Sequence, residues 1–304
     1  MSVRALPAEL QQVAINELNE IPNQIQNDIQ TIKDWIAKQP HLNTNMDDEL
    51  ILRFLRGCKF SLEFTKDKID FYYSIRTLSP KFVTNRDPLL PEIQKFLKLK
   101  VYMPLDVNKC GPQTFMAQLG FRGKDDGSVS LYTVIKTSLM MLEIMMKENE
   151  YMLLGQILFL DLEHISITRV AEFTITDVRT IISLQLAYPV RLKHVIFYGT
   201  PAYAKKAYDL FSYLVPEKIK NRILFYNQDD LEKIQDIIPK SILLKEYGGE
   251  ACSDKLGDYW IQKLESYREW FLKDDMYGTD ESKRSEKKYD LDGIQGSFRK
   301  LQVD

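Results

Sequence analysis

Hydrophobic residues recur at helical spacing along the first third of the chain. Five isoleucines fall at i, i+4, i+8, i+11 and i+15, as on one apolar face of an amphipathic helix: Ile21, Ile25, Ile29, Ile32 and Ile36. Asp47 and Asp48 then precede new apolar positions, where carboxylates stabilise the start of a helix, and Gly57 closes that helix. A third helix is predicted over residues 62–77. We therefore expect residues 10–96 to be helical.

The pattern changes near Lys100, where short apolar runs begin to alternate with helical segments. The predicted strands are Gln113–Phe121, Ile157–Leu162, Val195–Tyr198 and Arg222–Tyr226. The predicted helices are Leu131–Met146, Thr176–Ala187 and Tyr203–Leu214. Short apolar strands that alternate with helices are typical of βαβ units. We therefore expect an α/β fold with a mainly parallel β-sheet flanked by helices.

The end of the chain differs in composition from the part before it. A helix that carries Trp260 is predicted first, and charged and small residues dominate from Lys273 onward, which predicts a mobile tail. We expect three regions: a helical N-terminal region over residues 1–98, an α/β domain over residues 99–250, and a C-terminal helix with a charged tail over residues 251–304.

Composition and charge narrow the classes of function. With 41 basic and 43 acidic residues the net charge is −2, so bulk charge does not support nucleic-acid binding. The three cysteines form no CxxC pair, which favours a reducing compartment over a disulfide framework or a zinc site. The N-terminus lacks the apolar core of a signal peptide, and no apolar run reaches the roughly 20 residues of a membrane span. We expect a soluble, cytoplasmic, monomeric protein with only peripheral membrane contact.

Catalytic signatures are missing from the sequence. It contains no GxSxG elbow, no phosphate-binding GxxxxGK[ST] loop and no HExxH pair. Asp161, Glu163 and His164 cluster at a predicted strand end, but strand alternation separates Asp161 from its neighbour and no nucleophile is placed nearby. His194 opens a predicted buried strand, and we interpret it as a hydrogen-bonded structural histidine. The sequence therefore favours a binding protein without metal or cofactor over an enzyme.

Two segments resemble the CRAL-TRIO family of lipid-binding proteins. Asp47–Phe60 (DDELILRFLRGCKF) is similar to the LLRFLRARKF signature of the family's helical N-terminal region. Ile157–Gly249 contains LDLEH, AYPVRLKHVIFYGTP, LVPEKIKNRI and IPKSILLKEYGG in the family's order and spacing. The resemblance is greatest to the branch of tocopherol transfer and retinaldehyde binding, in its insect-like forms. His164 stands where the family usually has Gly, and Lys245 stands where it favours Pro, so both departures lie at turns.

The resemblance implies an apolar pocket for a ligand. The helix over residues 131–146 is a wall of this pocket in the family, and its dense methionines suit either an adaptable wall or a well-filled core. The lining residues that the resemblance assigns are Ile135, Ser138, Leu142, Leu158, Leu160, Ile165, Ser183, Leu184, Tyr188, Leu192 and Val195. Nearly all are apolar, so we expect a lipid with one polar group, and Ser138 is the candidate hydrogen-bond partner of that group.

The helix over residues 203–214 corresponds to the mobile gate of the family. One face of this helix consists of Tyr203, Ala207, Leu210, Phe211 and Leu214. Tyr208, Tyr213 and Val215 lie outside that face, so apolar side chains surround the helix on more than one side. A gate needs such a surface, because it contacts the ligand when closed and the bilayer when open.

Basic residues match the phosphoinositide-contacting positions of the family: Arg76, Arg191, Lys193, Lys218 and Arg222. Arg191 and Lys193 are two apart in an extended segment, and Lys218 and Arg222 are four apart on a helical turn, so each pair is expected to share a side. Solvated surface charge would explain either pair alone. Together with the resemblance, the set predicts a cationic cleft for the headgroup of an anionic membrane lipid.

The sequence thus favours a protein that binds and transfers a tocopherol-, retinoid- or carotenoid-like ligand and docks on membranes that contain phosphoinositides. Two alternatives stay open. The first is a phosphatidylinositol-type phospholipid transfer protein, for which polar groups inside the pocket are expected. The second is a signalling or scaffold member of the family that has lost transfer and uses its charged tail to bind a partner.

Overall fold

The computed structural model describes residues 3–109, 111–123 and 127–285. In chain order the helices are α1 Ala8–Leu18, α2 Ile25–Ile36, α3 Asp48–Gly57, α4 Leu62–Leu78, α5 Pro80–Val83, α6 Pro91–Leu99, α7 Leu131–Glu148, α8 Ile167–Ala171, α9 Ile175–Ala187, α10 Ala202–Phe211, α11 Glu217–Lys220, α12 Leu231–Ile237, α13 Ser253–Ser266 and α14 Arg268–Asp274. The strands are β1 Leu42–Asn43, β2 Tyr102–Pro104, β3 Gln113–Gln118, β4 Gln156–Asp161, β5 Leu192–Tyr198, β6 Ile223–Tyr226 and β7 Gly278–Thr279.

These elements form two units, each assembled from separate stretches of the chain. Unit I contains the described parts of Met1–Thr84, Arg179–Arg191 and Lys273–Asp304. Unit II contains the described parts of Asn85–Val178 and Leu192–Leu272.

The helices of Unit I begin and end where local side chains require. The Asp47 carboxylate accepts a hydrogen bond from the backbone N–H of Leu50 at 2.7 Å, which caps α3 as predicted. In the core, the ring of Phe54 lies edge-on to the ring of Tyr72 on α4, with centroids 5.4 Å apart. At Gly57, the last residue of α3, a Cβ atom would lie 2.4 Å from the carbonyl oxygen of Pro189, so this position requires glycine.

The buried face of α2 contains fewer isoleucines than the sequence pattern predicts. Ile25, Ile29 and Ile32 are buried on α2. Ile21 precedes the helix and is 49% exposed, so the prediction that it shares the buried face is wrong.

The C-terminal part of Unit I is ordered by pairing. Strand β7 pairs antiparallel with β1, with Leu42 opposite Thr279. Arg284 then donates to both carboxylate oxygens of Asp70, at 3.0 and 2.9 Å. The prediction of a mobile tail from Lys273 is therefore wrong for residues 273–285, while residues 286–304 lie outside the described chain.

Unit II contains a five-stranded sheet in the order β2-β3-β4-β5-β6. Strands β3 to β6 are parallel, and β2 pairs antiparallel with β3 at one edge. This arrangement confirms the predicted α/β fold with a mainly parallel sheet flanked by helices.

The two faces of this sheet differ in how completely they are covered. On β4, Ile157 and Phe159 are at most 1% exposed, whereas Leu158 and Leu160 keep part of their surface accessible. We call the side of Ile157 and Phe159 the packed face and the side of Leu158 and Leu160 the open face. The packed face joins a core cluster with α12 and with Ile242–Leu244, among others.

The sequence analysis expected no disulfide framework, no membrane span and no metal site, and the described residues can be compared with each expectation. Cys58 and Cys252 are free thiols, and Cys110 lies outside the described chain. Among the residues described, no helix is long and apolar enough to cross a bilayer, and no cluster of His, Cys, Asp and Glu has the makeup of a metal site.

Candidate functional site

The open face of the Unit II sheet is the candidate ligand surface. Leu158 lies opposite Val195 in the β4–β5 register, and Leu160 lies opposite Phe197. Val195 is buried, but the other three keep accessible apolar surface at the centre of a sheet, where side chains are ordinarily covered. Leu158, Leu160 and Val195, which the sequence assigned to the lining, are thus brought together on one surface.

A pair of hydroxyls, Ser138 on α7 and Tyr102 on β2, lies beside this face. Ser138 donates to the carbonyl of Val134 at 2.7 Å, and its hydroxyl is also hydrogen-bonded to the Tyr102 phenol. Burial raises the pKa of Tyr102 well above its usual value, so the phenol stays protonated. Tyr102 pairs with Ala117 in the β2–β3 register, which puts it on the open face. The sequence prediction missed Tyr102 because β2 is only three residues long.

The other predicted α7 residues differ in exposure. Ile135 is half-buried, whereas Leu142 is 4% exposed. Ile135 therefore has free apolar surface, and Leu142 already packs within the protein.

Helix α10, the predicted gate, packs on the open face through aromatic rings. The Tyr208 ring lies 5.8 Å from that of Phe197 on β5 and 5.3 Å from that of Phe225 on β6. Ala204 is buried against Leu162 and Ile165. The packed side of α10 therefore runs through Ala204 and Tyr208.

The predicted gate face is consequently rotated away from this contact. Leu210 is 67% exposed and Tyr203 is 37% exposed, although the Tyr203 hydroxyl donates to the carbonyl of Ile165. Ala207 and Phe211 are half-buried, and Leu214 is buried just beyond the helix. The contact with the sheet is made by Tyr208, which lies outside that face, and the assignment of this helix as a gate stays a prediction.

Three predicted lining residues belong to Unit I. Ser183, Leu184 and Tyr188 are at most 1% exposed. Ser183 donates to the carbonyl of Arg179 at 2.7 Å, and the Tyr188 ring lies 5.3 Å from the Tyr72 ring. These contacts make them core residues of Unit I.

The basic residues of Unit II gather at the start of β5. The β4–β5 register passes from Gln156 opposite Leu192 to Ile157 opposite His194 and skips Lys193, so Lys193 lies at a β-bulge. Arg222 donates to the carbonyl of Leu192 at 2.5 Å. The alternation that was expected to align Arg191 with Lys193 is interrupted by this bulge. Lys218, the remaining Unit II member of the basic set, lies on α11 and is half-buried.

Arg191 belongs to Unit I, where it forms an ion pair with Glu17 at 3.2 Å. Arg76 also belongs to Unit I but is only 4% exposed. It donates to Asp274 at 2.6 Å and to the Tyr72 hydroxyl at 3.0 Å. Because its charge is buried beside a carboxylate, we do not retain Arg76 among the headgroup-binding candidates.

His194 departs from the structural role expected of it. Its Nδ1 atom is buried and has no hydrogen-bond partner among the described residues. Burial lowers the pKa of His194, and the nearby positive charges of Arg222 and Lys193 lower it further. The interpretation of His194 as a hydrogen-bonded structural histidine is therefore wrong.

A polar pocket of about 370 Å³ lies at the carboxyl ends of the Unit II strands. Asp161 accepts a hydrogen bond from the Tyr247 hydroxyl, which in turn accepts one from Gln118 at 3.0 Å. Glu163 accepts a hydrogen bond from Gln228 at 2.6 Å. Both carboxylates that resembled an acid/base group thus have structural partners, and burial raises the pKa of Asp161.

Comparison with known proteins identifies the fold of residues 100–249. A family model described as "CRAL/TRIO domain" matches residues 100–249, and a model described as "Pinta-like, UBA domain" matches residues 21–93. The chain carries a CRAL/TRIO domain. This confirms the resemblance seen in LDLEH and the motifs that follow it, and it places the chain in a family of lipid-binding and lipid-transfer proteins.

Two relatives align with most of this chain. A human protein named alpha-tocopherol transfer protein-like is 29% identical over 255 residues, which cover 82% of this chain and 72% of that protein. Clavesin-1 from Xenopus laevis is 27% identical over 250 residues, which cover 82% of this chain and 74% of the relative. The printed name of the first relative likens that protein to the alpha-tocopherol transfer protein.

A solved structure shows the same fold. The crystal structure of Sfh5 superposes with a TM-score of 0.50 at 16% identity and covers 86% of this chain and 98% of that chain. At this identity the likeness concerns the CRAL/TRIO fold alone.

Proposed function

We propose that this protein encloses one small hydrophobic ligand of the tocopherol, retinoid or carotenoid kind and transfers it at membranes that contain phosphoinositides. The observation that carries the proposal is the difference between the two faces of β4. Ile157 and Phe159 are fully packed on one side, while Leu158 and Leu160 keep accessible apolar surface on the other.

Unfilled apolar surface at the centre of a sheet is unfavourable unless something covers it. Burial of apolar surface contributes about 25 cal/mol per Å², so a ligand that covers a few hundred Å² binds without any charge pairing. Leu158, Leu160, Phe197 and Ile135 offer such surface in Unit II. A ligand with a long apolar body fits this surface better than a phosphate-bearing one.

The hydroxyls of Tyr102 and Ser138 provide a polar point beside the apolar surface. Both are neutral, because the pKa of Tyr102 is raised by burial and a serine hydroxyl does not ionise. A neutral pair suits a hydroxyl or carbonyl on the ligand. A phosphodiester would call for a charged partner instead.

Exposed apolar side chains around α10 support contact with a bilayer. Leu210 is 67% exposed, Tyr213 is 57% exposed and Ile167 on α8 is 65% exposed. A soluble protein ordinarily scatters such residues singly, whereas clustered ones mark an interaction surface. Lys193 and Arg222 in Unit II, with Lys218, add the positive charge that anionic headgroups attract.

Extraction of the native ligand tests the proposed cargo. The protein is purified from its own tissue, its intact mass is measured under native conditions, and an organic extract is analysed by mass spectrometry. We expect one tocopherol, retinoid or carotenoid per chain. A phospholipid in its place would favour phospholipid transfer, and the absence of any ligand would favour a scaffold.

A transfer assay tests the membrane part of the proposal separately. The double variant Arg191→Ala/Arg222→Ala is compared with wild type in moving a fluorescent lipophile to vesicles with and without phosphatidylinositol bisphosphate. We expect the acceleration by the phosphoinositide to fall at least about tenfold, the equivalent of one lost charge-assisted contact. Lys233→Ala/Lys240→Ala removes the same charge from other exposed positions and is expected to behave like wild type. Equal transfer by both double variants would contradict phosphoinositide docking.

A further inference from the structure

His194 lies next to two of the basic residues of Unit II, Lys193 and Arg222. It stands on β5 directly after the bulged Lys193 and opposite Ile157 of β4, which is apolar. Arg222, which immediately precedes β6, donates to the carbonyl of Leu192, two residues before His194. The charged side chains that influence the imidazole are therefore Arg222 from the neighbouring strand and Lys193 from its own strand, and both are positive.

The imidazole is poorly accommodated in its charged form while the site is empty. Protonation would place an N–H on Nδ1, which is buried without an acceptor among the described residues, and would add a third positive charge beside two others. Burial and these two charges lower the pKa of His194 below its usual value.

We propose that His194 is a third, protonatable ligand of an anion site formed with Lys193 and Arg222, and that a phosphate-bearing lipid headgroup binds there with uptake of one proton. This inference rests on the proposed docking at phosphoinositide membranes and adds its regulation. A phosphate dianion between three cationic groups reverses the sign of the local field. The proton that is costly in the empty site then becomes favourable.

Linkage sets the direction of the pH dependence. Without a bound anion the pKa of His194 lies below its usual value, and next to a bound phosphate it is higher. The bound form therefore holds more protons between these two pKa values, so affinity for the headgroup rises as pH falls through that interval. Phosphate monoesters themselves gain a proton near a pKa of about 6, which weakens binding in acid and must be subtracted with a variant.

Vesicle binding at two pH values tests the proposal. Full-length wild type, His194→Gln and His164→Gln are sedimented with phosphatidylcholine vesicles that contain phosphatidylinositol bisphosphate, at about pH 7.5 and about pH 5.5. His164 is the matched control, since it is an exposed histidine of Unit II at the opposite end of the strands. We expect His164→Gln to bind like wild type at each pH. Compared with wild type, His194→Gln is expected to bind about fivefold more weakly at the acid pH and within about twofold at neutral pH.

A second measurement reads the proton directly. The chain has three histidines, so the His194 proton resonance is assigned by its loss in His194→Gln. Soluble inositol bisphosphate is expected to raise the pKa of His194, and vesicles with the lipid are expected to raise it at least as much. If the soluble headgroup raises the pKa of His194 and the vesicles do not, the ligand is a free inositol phosphate and the lipid assignment is overturned.

The outcomes separate this proposal from the docking proposal. If wild type binds the vesicles at neutral pH and His194→Gln keeps the full acid response, docking stands and the role of His194 is wrong. If wild type binds at neither pH, both proposals are wrong.

Discussion

Charge buried in Unit I is balanced residue by residue. Asp70 is 4% exposed and accepts hydrogen bonds from Arg284, while the His41 imidazole lies 3.1 Å from the same carboxylate. Ser74 adds a hydroxyl that is 2.7 Å from Arg284. A buried carboxylate is tolerated only when such partners replace the water it has lost.

Replacement of Arg284 should therefore be costly. Arg284→Met leaves Asp70 buried with fewer partners, and we expect the free energy of unfolding to fall by about 3 kcal/mol in urea titrations. Lys283→Ala removes an exposed ion pair with Asp280, 3.0 Å long, and is expected to cost less than about 0.5 kcal/mol. Similar losses for the two variants would contradict a special role for the buried pair.

At the scale of a strand, the two sides of β4 should respond differently to the same change. Phe159→Ala creates a cavity in the packed core and should cost about 3–5 kcal/mol whether or not ligand is present. Leu158→Ala acts on accessible surface and should cost the ligand-free protein much less. Its main effect should be to reduce the extra thermal stability that bound ligand gives.

Thermal melts of stripped and reloaded protein check this prediction. The rise in melting temperature when ligand is added should be similar to that of wild type for Phe159→Ala and clearly smaller for Leu158→Ala. An unchanged increment in Leu158→Ala would contradict the assignment of the open face to the ligand.

The gate helix is the second element with a specific expectation. The Tyr208 ring bridges Phe197 and Phe225, and each aromatic pair contributes about 0.5–1.5 kcal/mol beyond its buried area. Tyr208→Ala should therefore loosen α10 and speed release of a fluorescent lipophile about tenfold in stopped-flow measurements. Tyr213→Ala, at an exposed position, should leave release in solution unchanged. Equal rates in wild type and Tyr208→Ala would show that this contact does not hold the gate.

Helices and strands were predicted well where hydrophobic periodicity and capping residues indicate the same boundaries. They were predicted poorly where tertiary contacts determine the local conformation. The Asp47 cap, the Leu62 helix start and the parallel strands follow from local pattern. The bulge at Lys193 does not, because it is set by the pairing of β5 with β4. Tyr102 was missed for a similar reason, since a three-residue edge strand has no periodicity to detect. Family resemblance supplied the lining residues, but not which side of α10 packs.

At the scale of the whole molecule, the least predictable feature is the composition of Unit I. Its helices come from the start of the chain, yet it also includes Arg179–Arg191 and the described residues after Lys273. The segment after Lys273 is rich in charged residues, a composition that predicts exposure to solvent. It is held instead by the pairing of β7 with β1 and by the contacts of Asp274 and Arg284 with α4, none of which has a local signal.

Truncation tests whether this segment is part of Unit I or an appendage. A chain that ends at residue 272 loses β7, Asp274 and Arg284 together, so Arg76 and Asp70 on α4 both lose a buried partner. We expect amide hydrogen exchange on α4 to accelerate by at least about a hundredfold, the equivalent of roughly 3 kcal/mol. A chain that ends at residue 285 retains these contacts and should exchange like the full chain. Unchanged exchange after the shorter truncation would mean that the N-terminal helices hold Unit I together without their C-terminal partner.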